Sequence, residues 1–149
     1  MSGHSYWSTW PVDTLVQTRK ELAEELKKQL SSNYTYWQTE YCPMEKNPDN
    51  PRGGGCRDLG MNTALYVARV IHHDLTVANA ASWQWWTALS EWDYKDGLIF
   101  IDDGTLANGA SRGDEKMIET CKQDGVFRTS KLLWTLGNYS FFIRPGMVR

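Results

Sequence analysis

In the stretch YWQTEYCPME, Tyr36–Glu45, one carboxylate closes a short run of aromatic and polar residues: Glu40. A carboxylate at a strand end can act as a nucleophile, as a base or as half of an ion pair. As the nucleophile of a retaining glycosidase it attacks an anomeric carbon. It then needs a second carboxyl about 5–5.5 Å away to protonate the leaving oxygen. A Tyr or His hydrogen bond beside it would hold and orient the charged form. The plainer reading is a structural acid paired with Arg52 or Arg57. Two further clusters carry chemistry, HSYW (His4–Trp7) and WQWW (Trp83–Trp86). The chain holds 8 Trp, many beside polar residues, so these indoles are either core or flat platforms for the C–H faces of sugar rings.

Other candidates carry less. Glu45 lies five residues past Glu40 on a loop with nothing to hold it opposite a sugar. His72 and His73 are adjacent on a helix and so do not face one ion together; a favourable charge at a helix C-terminus suits them. RGGGCR lacks the GK[ST] of a phosphate loop, and its glycines suit a loop folding over a site. DYKDG and IDDG lack calcium-loop spacing and read as turns. No pattern requires a metal or a cofactor. Cys42 and Cys56 bracket a Gly/Pro-rich loop, where a bridge would form if the protein is exported.

Those clusters must be positioned by helices and strands. Val12, Leu15, Val16, Leu22, Ala23, Leu26 and Leu30 recur on one face, predicting a helix over 12–30, with Pro11 at its start. Tyr34–Tyr41 reads as a strand, LGMNTALYVARVIHHDL as a helix, and Ala80–Ala88 as a second strand. Leu98–Ile101 sits between turn signals and suggests a small hairpin. A last helix begins near Ser130 and ends before Pro145. Helix and strand alternate, which predicts parallel βα units. HSYW falls in a strand-to-helix loop at the start, and two strands alone make no stable parallel sheet. The reading is therefore a piece of a larger α/β protein. Period-two alternation places Gln38 and Tyr36 on the side of Glu40, and Trp83 with Trp85 towards the interior.

Composition narrows the class. With 41% hydrophobic and 23% charged residues the chain is globular, and a net charge of −2 lacks the basic excess of a nucleic-acid binder. No apolar run approaches the ~20 residues of a membrane span. The first residues show no signal peptide.

HSYW, WQTEYCPME, ASWQWWTALSEWDYKDGLIFID and KLLWTLGNYSFFIRPGMVR together resemble the C-terminal part of family-30 glycoside hydrolases, and within them the endo-β-1,6-galactanase-like members. The resemblance runs from His4 to Arg149. It implies a (β/α)8 barrel with a β-sandwich side domain, residues 1–143 being the barrel part from the sixth-strand loop through the eighth helix, and 144–149 the start of the side domain. It implies Glu40 as nucleophile of a retaining hydrolase. His4 and Tyr6 would lie close to that nucleophile and the bound sugar, and Trp85 would form the sugar-subsite floor, with Trp7 and Trp83 as further contacts. The family's acid/base is a Glu in an Asn-Glu pair after the fourth strand, and this chain has no Asn-Glu pair. The expected partner is a β-linked polysaccharide or oligosaccharide and the expected parent is exported, while the chain alone is expected to be inactive. The rival expectations are a non-catalytic carbohydrate-binding module and a pseudo-enzyme remnant.

Overall fold

The computed structural model describes residues 1–29, 35–102 and 125–147. Three strands form one all-parallel sheet in chain order: β1 (Ser2–His4), β2 (Trp37–Glu40) and β3 (Ser82–Trp83). Helix α1 (Val12–Gln29) connects the first pair and α2 (Met61–Thr76) the second, so the segment is a βαβαβ unit. A second sheet follows, in which β4 (Leu89–Ser90) runs parallel to β5 (Ile99–Asp102) and β6 (Val126–Thr129) runs antiparallel to β5. Helix α3 (Lys131–Phe142) closes the described chain. The described residues thus form a mixed α/β unit with two three-stranded sheets.

Local chemistry explains the helices. Leu15 N–H donates to the Pro11 carbonyl at 2.9 Å, opening α1, and Asp13 in the first turn with Lys27 and Lys28 in the last complements the helix dipole. The carboxylate of Asp58 accepts from the amides of Gly60 (2.7 Å) and Thr63 (3.1 Å), satisfying groups that open α2. Ser130 caps α3: its Oγ accepts from Leu133 N–H at 3.2 Å and donates to the Leu98 carbonyl at 2.9 Å, pinning the helix start to the second sheet.

The main core is the face of α2 that carries Ala64, Val67, Val70 and Ile71, closed by Tyr41, Tyr66 and Leu132. The spacing of these α2 residues is the three-and-four rhythm of one helix face. Tyr139 of α3 joins them and donates to the Ala68 carbonyl at 3.1 Å. A smaller core places Tyr36, Ala78 and Ala80 against Leu22, Leu26 and Leu75.

Several expectations change. The opening residues do not begin in a loop, because Ser2–His4 is already a strand, held by parallel pairing with β2. Leu98–Ile101 is no local hairpin: β5 is the central strand of the second sheet, and its antiparallel neighbour comes 24 or more residues later in β6. Cys42 and Cys56 are free thiols, Cys42 buried and Cys56 half-buried. Tyr36 faces the helices rather than the side of Glu40. The cause is a register shift: Gln38 to Glu40 spans two residues while its partners Gly3 and His4 are consecutive, and a bulge breaks strict alternation. Among the described residues no helix is long and apolar enough to cross a membrane.

Candidate functional site

The C-terminal ends of β1 and β2 lie side by side, because His4 pairs with Glu40 in the parallel register. That pairing assembles the site. Tyr6 Oη donates to Glu40 Oε1 at 2.8 Å, and His4 Nδ1 lies 4.0 Å from the same oxygen. The His4 and Tyr6 rings meet edge to face, 5.8 Å apart at 80°. Glu40 keeps about a third of its side chain exposed (34%) and His4 about half (49%), so both can meet a ligand from solvent. The phenol of Tyr6 is pushed well above its ordinary pKa, first by burial and then by its hydrogen bond to Glu40. It therefore remains a proton donor to the carboxylate at any physiological pH. Arg57 is not the partner of Glu40; it turns away to Asp102 Oδ2 at 2.9 Å.

A buried hub fixes this corner. Asp74, near the end of α2 and 1% exposed, accepts from Ser5 Oγ (2.8 Å), Arg19 Nε (2.8 Å) and Trp83 Nε1 (2.9 Å). Arg19 also donates through Nη1 to the Ser8 carbonyl (2.6 Å) and Ser8 Oγ (2.7 Å). Ser5 and Ser8 bracket Tyr6 and Trp7, so the loop that aims Tyr6 is tied to α1, α2 and β3 at once.

The indoles divide. Trp83 and Trp85 stack, 6.2 Å apart at 20°, and pack on the α2 core, each 6.3 Å from Tyr41 in edge-on geometry. Their N–H groups are taken by protein acceptors: Asp74 for Trp83, and the carbonyls of Thr87 (3.1 Å) and Asp96 (2.7 Å) for Trp85. Both form a half-buried wall behind the site. Trp86 behaves differently; its amide donates to the Tyr41 carbonyl at 3.1 Å, next to Glu40, while its side chain is 53% exposed. Trp7 projects into solvent from a backbone with φ of 60°.

Sequence reasoning misses the buried hub beneath this corner for want of a local signal. Asp74 and Arg19, 55 residues apart, give none. Glu45 is not on a free loop: it is buried, accepting from Tyr41 Oη (3.1 Å) and Tyr66 Oη (3.3 Å), and burial raises its pKa. Tyr66 also hydrogen-bonds Thr9 Oγ1 at 2.7 Å and accepts from Asn47 Nδ2 at 3.0 Å. Cys42 Sγ is 3.8 Å from Tyr6 Oη, and burial pushes its thiol up to about 11. Among the described residues no group of three or more His, Cys, Asp or Glu side chains is arranged to hold a metal ion.

A protein-family model described as O-Glycosyl hydrolase family 30 matches residues 1–100. The chain belongs to that family. The match spans the whole βαβαβ unit, including His4, Tyr6, Glu40 and Trp86. Among solved structures, a conserved exported protein from Bacteroides fragilis is similar at 37% identity with a TM-score of 0.75, covering 98% of this chain. This family-30 chain spans only 27% of that protein's length. Among curated proteins no match is found.

Proposed function

We propose that this family-30 chain carries the nucleophile half of a retaining glycoside hydrolase, with Glu40 as the nucleophile. The observation that carries the reading is the 2.8 Å hydrogen bond from Tyr6 Oη to Glu40 Oε1, with His4 beside it, at the open end of a parallel sheet. A carboxylate with one oxygen fixed by a phenol leaves its other oxygen to attack an anomeric carbon. The aglycone departs with the bonding electron pair, and water later releases the sugar from the ester. Tyr6 and His4 orient the carboxylate and contact the bound sugar, with Trp85 as the floor of the sugar subsite. Glu45 does not serve as the second carboxyl, since its oxygen is engaged by two buried phenols. The acid/base of this reading belongs to an Asn-Glu pair in a separate segment of the complete enzyme.

The βαβαβ order and the position of Glu40 at a strand end support a wider proposal: β1, β2 and β3 are the sixth to eighth strands of a (β/α)8 barrel. Residues 1–143 would then complete that barrel and 144–149 would open a β-sandwich domain. The substrate we favour is a β-linked polysaccharide such as β-1,6-galactan, met outside the cell by an exported parent, a location supported by the likeness to an exported Bacteroides fragilis protein.

A 2-deoxy-2-fluoro-galactoside with a dinitrophenolate leaving group tests this directly. Dinitrophenolate departs without protonation, so the assay does not need the acid/base. The expected result is one equivalent of released phenolate and a fluoro-sugar adduct mapped by peptide mass spectrometry to Glu40. An adduct elsewhere, or no adduct on the chain or its full-length form, sinks the assignment.

A further inference from the structure

Glu40 owes its place to an irregularity in β2. The parallel register sets Gln38 opposite Gly3 and Glu40 opposite His4, so Thr39 is one residue more than β1 can pair. Gly3 and His4 are consecutive and face opposite ways. Gly3 faces the helix side, where a Cβ added to it would meet the Tyr36 ring at 3.2 Å. Gln38, its partner, is 0% exposed, whereas Glu40 stands on the side of His4 with 34% of its side chain exposed. Without the extra residue, Glu40 would share the covered side of Gln38, and its carboxylate would lie away from Tyr6 and His4.

A bulge interrupts the ladder, and other hydrogen bonds must hold it. Here the residues of the bulge hold it with their own side chains. Gln38 Nε2 donates to the Glu40 carbonyl at 2.7 Å, and Thr39 Oγ1 donates to the Gly3 carbonyl at 3.3 Å. The Gln38 main chain is itself anchored, its carbonyl accepting from Gln84 N–H at 2.9 Å beside β3. The side-chain amide therefore ties a fixed residue to the backbone that carries the carboxylate. Packing alone does not call for glutamine here. Gln38 Oε1 is buried with no hydrogen-bond partner among the described residues, an arrangement that costs stability. A methionine would fill similar space without that orphan acceptor.

We propose that Gln38 is a positioning residue for the reaction at Glu40: its buried amide locks the bulge at Thr39 and so aims the carboxylate at Tyr6 and His4. Its catalytic consequence rests on the hydrolase reading above; the geometry stands without it. Gln38 has no exposed surface to meet a sugar and acts through the Glu40 main chain. With the amide gone, the bulged segment turns more freely about its backbone dihedrals. Glu40 Oε1 then leaves its 2.8 Å contact with Tyr6 Oη in a larger share of molecules. A nucleophile misplaced by ~1 Å loses up to about 100-fold in rate.

The test uses the full chain, isotope-labelled at tyrosine Cζ, whose resonance in Tyr6 reports the hydrogen bond to Glu40. Tyr6→Phe assigns that resonance, and Glu40→Ala gives its position with the acceptor removed. Gln38→Met should move the Tyr6 resonance towards the Glu40→Ala position, although residue 38 is not its partner. Labelling by the dinitrophenyl fluoro-galactoside should slow at least about tenfold, while the affinity of the preceding non-covalent complex stays within about twofold. Thr39→Val keeps its shape at a half-buried position and folds where Gln38→Met does not. It loses the longer of the two bonds, so it should move the same resonance in the same direction by a smaller step. A Tyr6 resonance that stays put in the folded variants, or a labelling rate that does not change, overturns the role, whatever happens to the melting temperature. Failure of the hydrolase reading looks different: no fluoro-sugar adduct on Glu40 in the unsubstituted chain, with the Tyr6 resonance still moved by Gln38→Met, removes the nucleophile and leaves Gln38 as the residue that aims the carboxylate.

Discussion

Removing Arg19 should cost the fold heavily, and the structure says why. The Arg19–Asp74 pair is 2.8 Å long, with side chains 3% and 2% exposed. Deleting one partner of such a pair costs ~3–5 kcal/mol, because the other charge stays buried. In Arg19→Met, Asp74 would keep its donors Ser5 and Trp83, while the Ser8 carbonyl and hydroxyl would lose Nη1. The two remaining donors place the loss at the lower end, about 3 kcal/mol. Arg19 Nη2 is already buried without a partner among the described residues, so the pair is not fully satisfied in the native state. With a urea slope of ~2 kcal/mol per molar for a chain of this size, the midpoint should fall by about 1.5 M. The assay is urea unfolding followed by far-ultraviolet dichroism, with the double variant Arg19→Met/Asp74→Leu alongside. The double variant should lose less than the sum of the two single losses, because no lone charge remains. A single-variant loss below about 1 kcal/mol, or strict additivity in the double variant, would show that Asp74 is not the electrostatic hub described above.

Three further outcomes follow from the same geometry. Tyr6→Phe keeps the ring contact with Tyr41 but removes the donor to Glu40, so transfer of the fluoro-sugar should slow ~10–100-fold, the worth of a hydrogen bond to a charged group; an unchanged rate excludes Tyr6 from orienting the carboxylate. Burial raises the pKa of Glu45, so the folded state binds its proton more tightly than the unfolded chain does; that stability is complete below the unfolded pKa near 4.3 and is lost as pH rises through the folded value. Glu45→Gln should flatten the fall in melting temperature as pH rises above the unfolded pKa, and an identical slope in the variant would refute it. Gly53 has φ of +58°, and an added Cβ would lie 2.9 Å from the Met44 carbonyl, so Gly53→Ala should cost at least ~1–2 kcal/mol by urea unfolding and a neutral result would deny the turn.

What the sequence discloses follows from the range of each signal. The helices are legible because their apolar rhythm is local: 12–30 against Val12–Gln29, and Leu59–Leu75 against Met61–Thr76. Glu40 is legible because it closes a short β-prone run. β1 is not, since SGH has no strand propensity and becomes a strand only by pairing with Trp37–Glu40 across 35 residues. A period-two rule puts Tyr36 on the wrong face because a bulge is invisible to it. Asp74 with Arg19, and Asp102 with Arg57 and Arg128, are meetings of distant charges that no local pattern announces. Glu45 reads as a loose loop acid because the phenols that bury it lie at positions 41 and 66, on a strand end and a helix.

Helix α3 shows solvent an unusual amount of oil: Trp134, Phe141 and Phe142 are 63%, 71% and 62% exposed in the folded chain. An environment-sensitive dye such as anilinonaphthalene sulfonate, commonly taken to flag loosened packing, would find a berth there in fully ordered molecules. Brightening of that dye therefore says nothing about the integrity of this protein. Near-ultraviolet dichroism, which reads the fixed asymmetry around Tyr41, Trp83 and Trp85, is the signal to follow.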